Sequence, residues 1–467
     1  MLLLSEKTTR IEKDVLGKLD VPIDVYWGIN TQRAVLNFKI SGRTIPERFL
    51  LALAKVKKAC LLAHMENKNI PEEIGTAALN AVDEILLEQK WLDQFPIDIF
   101  QTGSGTQINM NMNEVLANRA NELLGYPLGK KTPVHPNDHI NMSQSSNDVI
   151  PTTMHLAILE SLQYKLFPAI EKLTHVLESK IEEFRGVIKV GRTHLQDAVP
   201  IPLSTEFEVY KSQIQNHHEH LRDIKSKLQI VPIGGTAVGT GLNASQEFTE
   251  GVIAQLSALS DFSFSSSKVK AEQIASHNLL VHVSGLLRLL ALSCLKMAND
   301  IRWMGSGPRA GLGELSLPQN EPGSSIMPGK INPTQSEALI QVCMQVIGYD
   351  ATVAAAEGFG SVLDLNVTKP VIIVNILDAI RILSNGIISF TDYCLSGLSV
   401  NHEHIQNQLE RNLMIVTRIA PIVGYDKAGE IARRAYLTGK TIRETIEEMG
   451  IKLKENLDEL LDPRKMV

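Results

Sequence analysis

The chain has 467 residues, with 46 Lys and Arg against 52 Asp and Glu, a net charge of −6 with histidine neutral. That length can bury several cores without metals or disulfides, and a soft prior is three domains of about 150 residues each. Its 44% hydrophobic and 21% charged residues exclude a mostly disordered chain, and the acidic balance argues against a dedicated nucleic-acid binder, which carries a basic excess. Cys60, Cys294, Cys343 and Cys394 are too dispersed for a CxxC site or a disulfide framework. They fit a reducing compartment, and a cytoplasmic location is expected.

At the N-terminus the apolar run Met1–Leu4 is too short for a signal-peptide core. Polar, glycine-rich segments follow at Thr102–Asn113 and His135–Asp148. In Thr152–Glu183 the apolar residues Leu159, Leu162, Leu166, Ile170, Leu173, Leu177 and Ile181 step by three or four, which predicts one long helix kinked at Pro168. The segment Gly191–Asp197 is again polar. Phe207, Tyr210, Ile214, Leu221, Ile224 and Leu228 mark a second helix, and Gly234–Asn243 a further loop.

Leu279–Met297 is apolar on most faces and reads as a helix buried on several sides. Within it Leu279–Leu295 holds His282, Ser284, Gly285, Arg288 and Ser293, so it is expected to be too short and too polar for a membrane span. After the long loop Gly305–Pro333, the runs Ala338–Ala356 and Pro370–Leu395 resemble it. Helices this apolar imply burial between subunits. No strand–helix alternation supports a doubly wound sheet. The expected fold is mainly α, in three parts: 1–144, a long-helix bundle at 145–397 and a small helical part at 398–467.

The segment Gly323–Pro333, GSSIMPGKINP, cannot form a regular helix. It gathers Ser324, Ser325, Lys330 and Asn332. Lys and Asn bind carboxylates, and backbone N–H groups beside glycine stabilise oxyanions; a solvated surface loop fits the composition equally. Thr193-His194 offers an imidazole, a group suited to proton transfer, or a structural histidine. Ser145-Ser146-Asn147-Asp148 precedes a helix, where free N–H groups favour anions, or is a plain N-cap. Ser104-Gly105-Thr106-Gln107 has the same two readings.

Other segments read as decoys. Gly234–Gly241, GGTAVGTG, has phosphate-loop spacing but lacks the lysine. His217, His218 and His220 spread around a helix, and His402 and His404 suggest a surface turn.

Together these segments resemble the fumarase/aspartase superfamily and, within it, class II fumarate hydratases. The resemblance runs from DVPIDVYWGINTQR at Asp20–Arg33 to Val423-Gly424-Tyr425-Asp426. The superfamily signature is GSSxMPxKxNP, here Gly323–Pro333. Gln107, His194 and Gly329 stand where aspartases carry Ser, Gln and Ala, which disfavours an aspartate ammonia-lyase; that enzyme or another superfamily lyase is the alternative. The resemblance implies a three-domain, mostly helical subunit and a homotetramer whose active sites are shared between subunits. It implies a small dicarboxylate substrate (fumarate or malate), no metal, no organic cofactor, no nucleic acid and no membrane.

By the same resemblance Ser324 takes a proton from carbon, and Lys330 and Asn332 hold a carboxylate with Ser325 beside them. His194 handles water or hydroxyl, oriented by Glu337. Ser104, Gly105, Thr106, Ser145, Ser146, Asn147 and Thr193 complete the donor set. A second anion site is implied at His135-Pro136-Asn137-Asp138. There the family's usual arginine and lysine are replaced by Thr132 and Met142.

Overall fold

The fold is described from a computed structural model covering residues 8–467; the run Met1–Leu4 lies outside them. A hairpin of β1 (Thr9–Asp14) and β2 (Gly17–Pro22), antiparallel with Lys13 opposite Lys18, leads into α1 (Ile29–Asn37). The next helices are α2 (Glu47–Glu66), α3 (Glu72–Glu88), α4 (Thr106–Leu123), α5 (Ser146–Ser161) and α6 (Phe167–Glu183). A second hairpin, β3 (Ile188–Thr193) with β4 (Gln196–Pro202), precedes α7 (Leu203–Asp223), α8 (Lys225–Leu228), α9 (Gln246–Ala258) and α10 (Lys270–Ala275). The long helices α11 (Asn278–Met304), α12 (Thr334–Gly360) and α13 (Lys369–Phe390) follow, then α14 (His402–Arg411), α15 (Ala420–Val423), α16 (Tyr425–Thr438) and α17 (Ile442–Glu448). Every sheet among the described residues has two strands, and the fold is mainly α.

Contacts divide the chain into two compact units, each discontinuous in sequence. One comprises 8–167, 219–288 and 345–382, and the other 168–218, 289–344 and 383–467. In the first, α2 packs on α3, α5 and α9, and α4 on α1 and α3. The buried face of α2 carries Phe49, Leu53, Val56, Cys60 and Leu61 at helical spacing. Glu72 and Glu73 favour the N-terminus of α3 through its dipole. In the second unit, Ile415, Ile419, Ile431, Ala435, Ile442 and Ile446 form a separate cluster near the C-terminus. There Gly439, at φ +69°, ends α16, and a Thr441–Glu444 capping box starts α17.

Three expectations change. The helix expected through Thr152–Glu183 is interrupted at Leu162–Leu166 by a π-helical turn, and Pro168 sits in the first turn of α6 instead of at a kink. Leu162 and Leu166 are both buried, so the apolar period runs through the turn and hides it. His402 and His404 lie in the first turn of α14, capped by the Asn401 side chain, not in a surface turn. The stretch Leu279–Leu295 is part of a 27-residue helix. By length and composition α11, α12 and the segment Lys369–Leu395 are each long and apolar enough to cross a membrane. Their exposed faces mix Leu289, Leu292 and Met344 with Arg288 and Lys296.

Candidate active site

In the first unit the structure joins two loops distant in sequence. Ser104 Oγ lies 2.7 Å from Thr106 Oγ1, which lies 2.8 Å from Ser146 Oγ. Gly105 takes φ +77° as the N-cap of α4, a conformation that favours glycine. Ser145 caps α5: its Oγ accepts the Asn147 N–H, while Asp148 Oδ1 accepts the Ser145 N–H. The capping reading is therefore right, and it coexists with a row of hydroxyls at a helix N-terminus, where an anion is favoured. Ser104 and Ser146 are buried.

This row rests on Asp148, on the GGTAVGTG segment set aside above as a decoy, and on Lys57, which carries no signal in the sequence. Asp148 is fully buried, and its Oδ2 accepts the N–H groups of Gly234 and Thr236 at 3.0 and 2.9 Å. Asn147 Nδ2 donates to the Ala237 carbonyl at 2.8 Å. The GGTAVGTG segment thus braces the helix start and binds a protein carboxylate. Burial pushes the Asp148 pKa up to about 6, opposed by those N–H donors and by Lys57. Lys57 is itself buried, its pKa brought down to about 7 by desolvation. Its Nζ donates to Asn141 Oδ1 and Gln144 Oε1, both at 2.9 Å, and so pins the loop before α5.

In the second unit Thr193 and His194 are exposed at the end of a β-hairpin. His194 and Leu195 form its two-residue turn with φ +56° and +58°. Two positive φ values suit the right-handed twist of a hairpin. Outside glycine that backbone costs roughly 1–2 kcal/mol per residue. Such strain persists only where the surroundings impose it, and it concentrates at functional sites.

Also in that unit, the signature loop closes on itself. The Gly323 N–H donates to the Lys330 carbonyl at 2.9 Å, and Asn332 Nδ2 donates to the Gly323 carbonyl at 2.6 Å. Ser324 Oγ accepts N–H bonds from Ile326 and Met327 at 3.3 and 3.0 Å. Ser325 and Lys330 are exposed. Lys330 Nζ has no hydrogen bond or ion pair among the described residues. Glu337 follows in the first turn of α12. His194 and Glu337 share no hydrogen bond or ion pair among the described residues.

His135, Pro136 and Asn137 line a cavity of about 610 Å³ with Arg33 and Lys131. The His135 ring caps the short π-helix Pro136–Ile140, its Nδ1 accepting the Asn137 and Asp138 N–H groups. Asp138 is exposed. Arg33 is bound to Asp14 at 2.8 Å, and Lys131 reaches the Lys13 carbonyl at 3.4 Å. Glu114, in the same wall, is buried and accepts N–H bonds from Gly28, Asn30 and Thr31, so it caps α1 from a distance. Among the described residues no group of three or more His, Cys, Asp or Glu side chains could hold a metal ion. His217 instead meets Ser293 Oγ at 2.9 Å.

A helical chain with a hydroxyl-lined helix N-terminus, a loop aiming N–H groups at a serine and an exposed histidine defines a lyase of the fumarase/aspartase type. Residues 17–348 match the Lyase family and residues 415–467 the Fumarase C C-terminus family. The chain is 49% identical to a class II fumarate hydratase of Thermosynechococcus vestitus, over 96% of both chains. It is 46% identical to the mitochondrial fumarate hydratase of Rattus norvegicus, over 99% of this chain and 91% of that one. The crystal structure of class II fumarase from Schistosoma mansoni superposes with a TM-score of 0.95 at 38% identity, covering 98% and 99% of the two chains. The chain belongs to the class II fumarate hydratase family.

Proposed function

We propose that the protein catalyses the reversible trans addition of water to fumarate, giving (S)-malate. The observation that carries this reading is the hydrogen bonding of Ser324. Two backbone N–H groups donate to its Oγ, and donors aimed at an oxygen favour its anion. A serine so held can take a proton from carbon. In hydration the balance runs the other way. His194 takes a proton from water, the hydroxide adds to one alkene carbon, and the Ser324 hydroxyl gives its proton to the other. The imidazolium then returns a proton to the alkoxide through solvent.

Glu337 orients His194 and supports its charged form, as a carboxylate does for an imidazole. Lys330, Asn332 and Ser325 hold one carboxylate. Ser104, Thr106, Ser145, Ser146, Asn147 and Thr193, with the backbone at Gly105, supply donors to the substrate. This chemistry uses no metal or organic cofactor. His135, Pro136, Asn137 and Asp138 form a second anion site, with Lys131 beside it and Thr132 and Met142 where the family carries cations.

We further read the chain as a cytoplasmic, three-domain subunit with boundaries near 145 and 397, working as a homotetramer with shared active sites. The support is that His194 and Glu337 share no hydrogen bond or ion pair among the described residues, and that Leu289, Leu292 and Met344 are exposed on long helices. Arg288 and Lys296 on the same face favour protein contact over lipid. Mixing inactive Ser324→Ala and His194→Asn proteins should restore activity; a fully active monomer in sedimentation overturns the assembly.

The reaction is tested by fumarate absorbance with purified protein. Loss of fumarate in water alone, unchanged by ammonia, is expected. Faster turnover of L-aspartate than of malate would make the protein an ammonia-lyase.

A further inference from the structure

The buried carboxylate of Glu314 belongs to neither the substrate donors nor the proton-handling pair. It is wholly shielded from solvent. Its Oε1 lies 2.5 Å from Arg192 Nη1 and its Oε2 3.4 Å from Lys189 Nζ. Lys189 is buried too, and its Nζ also reaches the Val190 carbonyl at 3.0 Å and Glu206 at 3.3 Å. Both cations lie on β3, the strand that ends at Thr193 and turns at His194. Arg192 pairs across the hairpin with Asp197, and its Nη2 donates to Gln408 of α14 at 3.2 Å.

The Glu314 backbone is equally fixed. Its N–H donates to the Met304 carbonyl at the end of α11 at 2.8 Å, and its carbonyl accepts the Asn401 N–H at 2.9 Å. Glu314 is thus an anchor whose side chain grips the strand two residues before a turn held in the left-handed region. Arg192 holds one carboxylate oxygen by a hydrogen bond, while the other accepts none and faces the Lys189 charge; a charged group buried this deeply is costly to leave without its partner.

We infer that Glu314 is a positioning residue for His194: through Arg192 and Lys189 it fixes β3 and so sets where the imidazole at the turn stands. This inference rests on the reading of His194 as the group that handles water. Glu314 touches no substrate. Its effect passes through strand placement, and a displacement of the order of 1 Å costs about 100-fold in rate.

The test is a double-mutant cycle on the full-length protein. Glu314→Gln keeps the shape and removes the charge; Glu314→Asp keeps the charge and shortens the reach. We expect Glu314→Gln to lower kcat for fumarate about 10- to 100-fold with KM changed less than about threefold, and Glu314→Asp to regain part of the loss. In a His194→Asn background Glu314→Gln should cost almost nothing further, because the group it positions is gone. Equal losses with and without His194, or wild-type kcat in both Glu314 variants, would overturn the inference. If Glu314→Gln fails to fold, the cycle with Glu314→Asp decides by the same criterion. If His194→Asn alone leaves kcat intact, the reading of His194 has failed, a result distinct from failure of the positioning role.

Discussion

Gly103 and Val367 meet backbone to backbone: a Cβ built on Gly103 would stand 1.3 Å from the Val367 carbonyl oxygen. Beside it the Lys369 N–H donates to the Gly103 carbonyl at 3.0 Å. The loop bearing Ser104 and Thr106 is thereby clamped to the turn before α13. Neither backbone can yield as a flexible side chain would. Gly103→Ala is expected to destabilise the protein by about 1–3 kcal/mol, the usual cost of overpacking, and to lower kcat/KM at least tenfold. Thermal unfolding and fumarate kinetics check this. A variant with wild-type melting and wild-type kcat/KM would show that the clamp has no bearing on the hydroxyl row.

Ser324→Ala separates the base from the binding groups. Lys330, Asn332 and the hydroxyl row stay, so affinity for a dicarboxylate should change little. The kcat should fall by at least ~10²-fold, the lower end for a lost acid–base group. The decisive measurement is exchange of solvent deuterium into malate. Exchange at the wild-type rate would move the base to another residue and leave the signature loop as a substrate clamp.

Asp148→Asn probes the brace beneath the substrate donors. The carboxylate accepts three N–H bonds, from Ser145, Gly234 and Thr236. An amide offers one acceptor oxygen and turns an NH₂ toward the remaining donors. Each orphaned buried donor costs about 1–3 kcal/mol. The variant should melt earlier, and its affinity for a dicarboxylate inhibitor should drop because Ser145, Ser146 and Asn147 lose their support. Unaltered inhibitor affinity in a folded variant would confine Asp148 to stability.

The long helices were legible because their apolar residues repeat every three or four positions over five turns or more. The hairpin carrying His194 was not. Its strands, IKVGRT and QDAVPIP, are only six and seven residues long and lack clean alternation. The polar loops were legible as places, since proline and glycine exclude regular structure there. The partnerships between them were not. Asp148 is paired with Gly234 and Thr236, and Glu314 with Arg192, across separations of 86, 88 and 122 residues. Periodicity carries no information at that range. The one local signal was glycine: Gly234 takes φ +79°, which lets successive N–H groups converge on an anion. That signal was visible as GGT, but the anion it serves is the protein's own carboxylate.

His155 yields a prediction in which the sign follows from burial. It lies buried on α5, and its Nδ1 stands 3.0 and 3.1 Å from the carbonyls of Leu228 and Ile230. A neutral Nδ1–H donor satisfies both. Desolvation lowers its pKa from the ordinary 6.5 to about 4, and the two carbonyls oppose that only in part. Above pH 6.5 the imidazole is neutral in the folded and unfolded chain, and stability does not depend on it. Between 6.5 and 4 the unfolded chain binds a proton that the folded chain refuses, so stability falls as pH falls. Across that window one such group accounts for about 3 kcal/mol. His277 is buried and shifted in the same direction, mainly by desolvation, and steepens the slope. Urea unfolding of wild type and His155→Gln at pH 6.5 and 4.5 is the measurement. The variant should start less stable and lose about 2–3 kcal/mol less on acidification. Parallel losses in the two proteins would mean that His155 is already protonated, or solvated, in the folded state.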